Sequence, residues 1–231
     1  MAEPTEPHRF VILFQGRTGS SYLQDLLSSH PQVVCEPESL VRKSREEQAQ
    51  WVRALYQAPQ PPTVTAVGFK TKLKDIVDPA EFRDLLEGFG VRVVHMVRRN
   101  RVKQAFSRIN ARRLFESRRM WNLKEGQPPL PPTRVTLEQF QEALDHHAEM
   151  DAQLRRFLEG LDRPCLELAY EELLEDREGT LARLCRFLQV PEAPMTSRLQ
   201  KNTPDSLREA FLNYDEIKDH YRGTSLEPQF E

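Results

Sequence analysis

The chain has 231 residues, 39% of them hydrophobic and 29% charged, with a net charge of −2. That is enough to bury one substantial α/β core, and the balance fits a globular, soluble chain and speaks against a wholly basic nucleic-acid binder. No apolar stretch approaches the roughly 20 residues that cross a bilayer, and the opening M-A-E-P-T-E-P-H-R lacks the apolar core of a leader. Cys35, Cys165 and Cys185 are odd in number and share no metal-type spacing, which fits a reducing, cytoplasmic compartment.

In chain order, Phe10 to Phe14 is a continuous apolar run, the pattern of a strand covered on both faces. Ser20 to Ser29 predicts a helix with Tyr22, Leu23, Leu26 and Leu27 on one face, ended by His30-Pro31 because a residue before proline avoids the helical region. Val33-Val34 starts a short extended piece, and Ser39 to Tyr56 predicts a charged helix. Val64 to Phe69 is the next strand. Asp78-Pro79 opens a short helix, with Asp as cap and Pro in the first turn. Val91 to Val97 is a strand, and Arg101 to about Arg119 a basic helix. After Q-P-P-L-P-P, Thr136 starts a long amphipathic helix with one polar interruption at Asp151. Pro164 to Ala169 is a strand, Asp176 caps a helix carrying Leu181, Leu184, Phe187 and Leu188, and Asp205 or Ser206 starts another. Strands separated by helices predict a three-layer α/β fold, P-loop-like, with a mostly parallel central sheet flanked by helices. No linker divides the chain, so residues 1–231 are expected to form one domain.

The most informative stretch is F-Q-G-R-T-G-S-S-Y, residues 14–22, a Gly/Ser/Thr turn between the first strand and the first helix. Set against the ATP-binding pattern G-x-x-x-x-G-K-[ST], it keeps the second glycine as Gly19 and the hydroxyl as Ser21, but Ser20 stands where the lysine belongs. The cation of the loop is Arg17. A helix start near Ser20 offers N–H groups and the positive end of its dipole to an anion, and Thr18, Ser20 and Ser21 add hydroxyls. A magnesium-dependent phosphotransferase places an aspartate at the end of a neighbouring strand. Here V-R-V-V-H-M-V ends in Arg98-Arg99-Asn100, which favours a second anion over a divalent cation. A ligand anionic at two points follows, one near Arg17 and one near Arg99.

These residues resemble the sulfotransferases that use 3′-phosphoadenosine 5′-phosphosulfate (PAPS), in particular the bacterial branch that includes carbohydrate and glycolipid sulfotransferases. Q-G-R-T-G-S-S-Y-L resembles the 5′-phosphosulfate loop. R-R-N-R-V-K-Q-A-F-S resembles the 3′-phosphate motif, an arginine followed eight residues later by a serine, here Arg99 and Ser107; the continuation through Trp121 is similar to the bacterial branch. L-E-L-A-Y-E-E-L-L resembles the turn near the adenosine, and N-T-P-D-S-L-R-E-A-F-L-N-Y-D-E-I resembles a C-terminal segment of many such enzymes. The resemblance implies that Arg17, Thr18, Gly19, Ser20 and Ser21 hold the phosphosulfate, Tyr22 lies against the adenine, Arg99 and Ser107 hold the 3′-phosphate, and Tyr170 lies near the base. It implies PAPS as donor, 3′-phosphoadenosine 5′-phosphate (PAP) as product, and no metal. Lys201 or Arg222-Gly223 is a candidate for closing the nucleotide site.

Sulfuryl transfer needs a base for the acceptor's proton. The resemblance points to a glutamate after the first helix: Glu36 in V-V-C-E-P-E, with Glu38 in reserve. Lys72 stands where cytosolic relatives carry a histidine, which separates the chain from them, and Lys70 is a candidate for stabilising charge on the transferred group. Residues 98–119 hold nine arginines and lysines against Glu116 alone. Such a run reads either as a solvated face or, for Arg112, Arg113, Arg118 and Arg119, as a site for an acidic acceptor or partner. Phe106 and Phe115 are the only aromatic residues in the run, too few for the stacking platform that nucleic acid would require. His146-His147 lacks an H-E-x-x-H pattern and reads as a helix face, His95 as a core histidine, His30 as a helix end, and Cys165 and Cys185 as core thiols. The expected activity is transfer of a sulfuryl group to the hydroxyl of a carbohydrate, glycolipid or small metabolite. The rivals are a P-loop nucleotide kinase and a catalytically inactive binding domain; the Gln15-Gly16 entry, where a proline is usual, keeps the latter open. Neither the acceptor nor the oligomeric state is encoded in a motif.

Overall fold

The computed structural model describes residues 6–123, 126–199 and 206–230. Their elements run β1 (His8–Phe14), α1 (Ser20–Ser28), β2 (Val33–Glu36), α2 (Arg45–Gln57), β3 (Ala66–Thr71), α3 (Pro79–Gly88), β4 (Arg92–Val97), α4 (Arg101–Arg118), α5 (Leu137–Glu159), β5 (Cys165–Ala169), α6 (Tyr170–Glu175), α7 (Arg177–Leu188), α8 (Leu207–Ala210) and α9 (Tyr214–His220). The described residues gather into two compact units: a first within 1–97 and 150–197, and a second within 98–149 and 198–231.

The first unit is built on a five-stranded sheet in the order β2-β3-β1-β4-β5, with every pairing parallel. The apolar run of β1 is explained by its central place. Phe10, Ile12 and Phe14 pack on one face with Leu23, Leu26 and Leu27 of α1 and Leu181, Leu184 and Leu188 of α7. Val11 and Leu13 pack on the other with Val52 and Tyr56 of α2, Phe82 and Leu86 of α3, and Leu154 and Phe157 at the end of α5. Side chains alternate across a strand, so a strand with helices on both faces must be apolar throughout. Gly68 is fixed by sheet packing, since a Cβ there would lie 2.3 Å from the Phe10 carbonyl oxygen.

The second unit is helical and aromatic. Phe106 of α4 lies 4.7 Å from Phe140 of α5 and 4.4 Å from Phe211, ring centre to ring centre, and Tyr214, Tyr221 and Phe230 complete the cluster. Asn213 ties it together by accepting from the Val135 N–H and donating to the Val135 carbonyl, at 2.9 and 2.8 Å.

Two expectations about these elements need correction. The predicted helix from Ser39 begins only at Arg45, because Ser44 and Glu47 form a reciprocal capping box that sets the start. The extended piece expected from Val33 is borne out as a paired strand to Glu36. Cys165 is exposed and not a core thiol: it opens the edge strand β5, in which only Leu168 and Ala169 are buried. The predicted cap at Asp78 is as expected, its carboxylate accepting from the Ala80 and Glu81 N–H groups ahead of Pro79. Among the described residues no helix is long and apolar enough to cross a membrane.

Candidate functional site

In the first unit the turn after β1 is held by its own side chains. Gln15 is buried and donates from Nε2 to the Met150 carbonyl at 2.7 Å. Thr18 is buried and its hydroxyl donates back to the Gln15 carbonyl at 2.8 Å, so it braces the turn. Arg17 and Gly19 both adopt positive φ, 67° and 82°. Gly19 is the N-cap of α1 and supplies no side-chain cap; the Leu23 N–H is bonded to its carbonyl at 3.0 Å. A helix start of this kind presents its first-turn N–H groups and positive dipole end to an anion.

Tyr170 packs on this turn. A Cβ at Gly19 would sit 2.3 Å from Tyr170 Cδ2, so position 19 requires glycine twice over, for its backbone and for its neighbour. Tyr22 and Tyr170 are both half-buried against the cluster that contains Leu23 and Leu26.

The lysine missing at position 20 is supplied by a different strand. Lys70 stands near the end of β3, opposite Ile12 in the β1 register, and its ammonium donates to Ser21 Oγ at 2.7 Å. It is buried, lies 5.4 Å from the centre of the Phe14 ring and 3.5 Å from Glu38. Burial pushes its pKa below the usual lysine value, against the opposing pull of Glu38. Glu38 also contacts the Lys72 ammonium, which reaches Asp75 at 3.5 Å. The structure thus joins Ser21, Lys70, Glu38 and Lys72 in one chain of polar contacts. Glu36 is not part of it: among the described residues its carboxylate forms no hydrogen bond or ion pair, and strand alternation puts it on the face shared with Val34, opposite that of Cys35.

Arg99 and Ser107 belong to the second unit. Arg99 precedes α4, whose start is fixed by Asn100; its side chain accepts from the Lys103 N–H at 2.7 Å and donates to the Gln229 carbonyl at 2.9 Å. Ser107 is buried within α4. Trp121 stacks on Phe115 with ring centres 4.4 Å apart. Arg222, just past the end of α9, pairs with Asp219 of that helix at 2.6 Å. Lys201 lies outside the described residues.

The histidines read from sequence fall into place. His30 Nδ1 accepts from the Gln32 N–H at 3.1 Å, so Nε2 carries the proton toward the Pro191 carbonyl at 2.9 Å. His95 is buried beside Glu167, with Nδ1 at 3.4 Å, and burial holds its pKa low. His147 departs from the expected helix face. It is buried, a point the pairwise H-H spelling hides because successive helical residues point about 100° apart.

Residues 90–194 match the profile of the Sulfotransferase family. The chain is 28% identical over 240 residues to Nodulation protein H of Rhizobium meliloti, covering 93% of this chain and 92% of that one. Its fold is similar to that of a sulfotransferase from Alicyclobacillus acidocaldarius (TM-score 0.53, 17% identity, 97% of this chain and 93% of that one). It is also similar to mouse sulfotransferase SULT7A1 complexed with PAP (TM-score 0.50, 12% identity, 91% of this chain and 66% of that one). With the strand-turn-helix of residues 8–28 and the lysine at its first turn, these matches make the chain similar to enzymes of the sulfotransferase family.

Proposed function

We propose that the chain transfers a sulfuryl group from PAPS to a hydroxyl of a carbohydrate, glycolipid or small metabolite, as a single sulfotransferase domain in a reducing, cytoplasmic compartment. The observation that carries this reading is the Lys70–Ser21 hydrogen bond of 2.7 Å, which returns a buried cation to a loop whose own lysine position is a serine. The residues fit the donor: a left-handed glycine at a helix start, a cation from the next strand, and a tyrosine ring closing over the turn. No divalent ion enters the scheme.

In this reading the Arg17 side chain and the N–H groups of Thr18 to Tyr22 hold the phosphosulfate end, and Tyr22 and Tyr170 border the adenine. Arg99 and Ser107 hold the 3′-phosphate. An acceptor oxygen forms a bond to sulfur as the bond from sulfur to the bridging phosphate oxygen breaks, and PAP leaves. The acceptor proton goes to a carboxylate. Lys70 and Arg17 stabilise the charge that builds on the bridging oxygen; in-line transfer of this kind depends on positioning and charge. Glu36 is the base: its carboxylate is unengaged, whereas Glu38 is occupied in orienting Lys70 and Lys72. Glu38 is the reserve.

The test is incubation with radiolabelled PAPS and a panel of hydroxylated acceptors, with identification of the labelled product, together with thermal titration. Labelled product and stabilisation by PAP are expected. Stabilisation by ATP-Mg with none by PAP would move the assignment to a nucleotide kinase.

A further inference from the structure

The second unit carries a basic pocket that the transfer scheme leaves unused. It encloses about 440 Å³ between α4, the start of α5 and the segment leading into α5. This falls within the roughly 300–1,000 Å³ of small-molecule sites. Four guanidinium groups, Arg108, Arg112, Arg113 and Arg134, line it against two carboxylates, Glu116 and Glu142.

Three of the arginines are held in place. Arg112 pairs with Glu116 at 3.2 Å. Arg113 donates to Asn110 Oδ1 at 3.1 Å and to the Pro131 carbonyl at 2.9 Å. Arg134 grips both oxygens of Glu216 at 2.6 and 2.9 Å. Guanidiniums braced in this way lose less freedom when they bind an anion. One turn along α5 from Ala143 of the pocket wall, His147 registers the local potential. It is buried and neither ring nitrogen has a hydrogen-bond partner. After burial itself, Arg108, His146, Arg101 and Arg98 all disfavour its protonation, with no carboxylate opposing them.

The pocket is separate from the proposed 3′-phosphate contact. With 3.6 residues per turn, Ser107, Ala111 and Leu114 share one side of α4, which is buried, while Arg108, Arg112 and Glu116 share the other. The lining also selects among anions. Two carboxylates within a ring of arginines would repel a phosphate-rich chain, but they accept hydrogen bonds from hydroxyls. Thr133 adds a hydroxyl, and Ile109 and Ala143 give an apolar strip suited to the C–H face of a ring.

We propose that this pocket binds an acidic sugar, a hydroxylated ring that carries a carboxylate: the arginines take the carboxylate, Glu116, Glu142 and Thr133 take hydroxyls, and Ile109 underlies the ring. The inference goes beyond the transfer reading, because binding is read without donor.

Calorimetry of the full chain at low salt tests it, with three probes: a glucuronate–N-acetylglucosamine disaccharide, the neutral N,N′-diacetylchitobiose, and inorganic phosphate. The acidic disaccharide is expected to bind at least tenfold more tightly than either control. Arg112→Glu and Arg134→Glu each weaken it at least fivefold while the affinity for PAP stays unchanged. Both side chains are about two-thirds exposed, so charge reversal leaves the fold intact, which circular dichroism verifies. Equal binding of the neutral disaccharide, equal binding of phosphate, or unchanged affinity in both variants would overturn the proposal. Failure of PAP to bind the wild-type chain would count against the transfer reading alone.

Discussion

The two units bury titratable side chains in opposite ways. In the first, Lys70 is taken out of water at the end of a central strand and immediately given partners, Ser21 and Glu38. In the second, His147 is buried among arginines with no hydrogen bond to either nitrogen. A buried cation with partners is a positioned tool, since removing it strands its neighbours. A buried neutral imidazole costs about 1–3 kcal/mol for polar atoms left unsatisfied and persists because the surrounding core holds it. The first arrangement is therefore expected to matter for turnover and the second for stability.

The largest effect should come from Gly19. An alanine there adopts a left-handed conformation, at about 1–2 kcal/mol, and drives its Cβ to 2.3 Å from the Tyr170 ring, an overpacking worth about 1–3 kcal/mol more. Gly19→Ala should lower stability by about 2–5 kcal/mol and reduce PAP affinity by more than about a hundredfold, both read from thermal titration. A variant with normal melting and normal PAP affinity would remove the loop from the donor site. Next is Lys70→Met, which fills the same space without charge. Loss of one charge-stabilising donor costs about 10²–10³ in kcat, with PAP affinity changing far less. Because burial lowers the Lys70 pKa, wild-type turnover should fall on the alkaline side at a pH below that of an ordinary lysine. Equal turnover in Lys70→Met and wild type would assign the lysine to structure alone.

The two glutamates sharpen the same comparison inside the first unit. Glu36→Gln should lower kcat by about 10²–10⁴, the range for a general base, and leave PAP affinity alone. Glu38→Gln should act more mildly, through Lys70 and Lys72, which it contacts. The reverse order, measured with one acceptor, would move the base to Glu38 and agree with the strand alternation that turns Glu36 away from the face of Cys35.

The first unit was the more legible of the two in sequence, for a physical reason. Its central strands are covered on both faces, so β1 and β4 spell themselves as apolar runs, and its helices begin at side chains that cap them, Asp78 and Asp176. The loop could be found because a positive-φ glycine and hydroxyls at a helix start form a local pattern. The contact between Lys70 and Ser21 spans 49 residues, and only a resemblance singled out Lys70. Capping beat composition at Ser44, where a charged stretch from Ser39 looked helical earlier than it is. The edge position of β5 could not be seen, which is why Cys165 looked like a core residue. In the second unit the aromatic cluster draws on Phe106, Phe140, Phe211 and Phe230 from distant segments, so its packing left only scattered letters, and the basic pocket left only a charge run.

The smallest effect is also the one that isolates the second unit. The unfolded His147 imidazole takes a proton below its ordinary 6.5, while the folded one does so only near about 3. Between those values the unfolded state holds the extra proton, so stability falls as pH falls. Burial is the main cause, and Arg108, His146, Arg101 and Arg98 add to it. His147→Leu removes the titration and the two unsatisfied nitrogens together. Across pH 5.5 to 4.5, the wild type should lose about 1.4 kcal/mol per pH unit more than the variant, by denaturant melts at each pH. His8 and His95, also held low by burial, titrate in both proteins and cancel in the difference. Parallel pH profiles would mean that the His147 imidazole is as free to take a proton in the folded chain as in the unfolded one, and the contrast with Lys70 would then rest on hydrogen bonding alone.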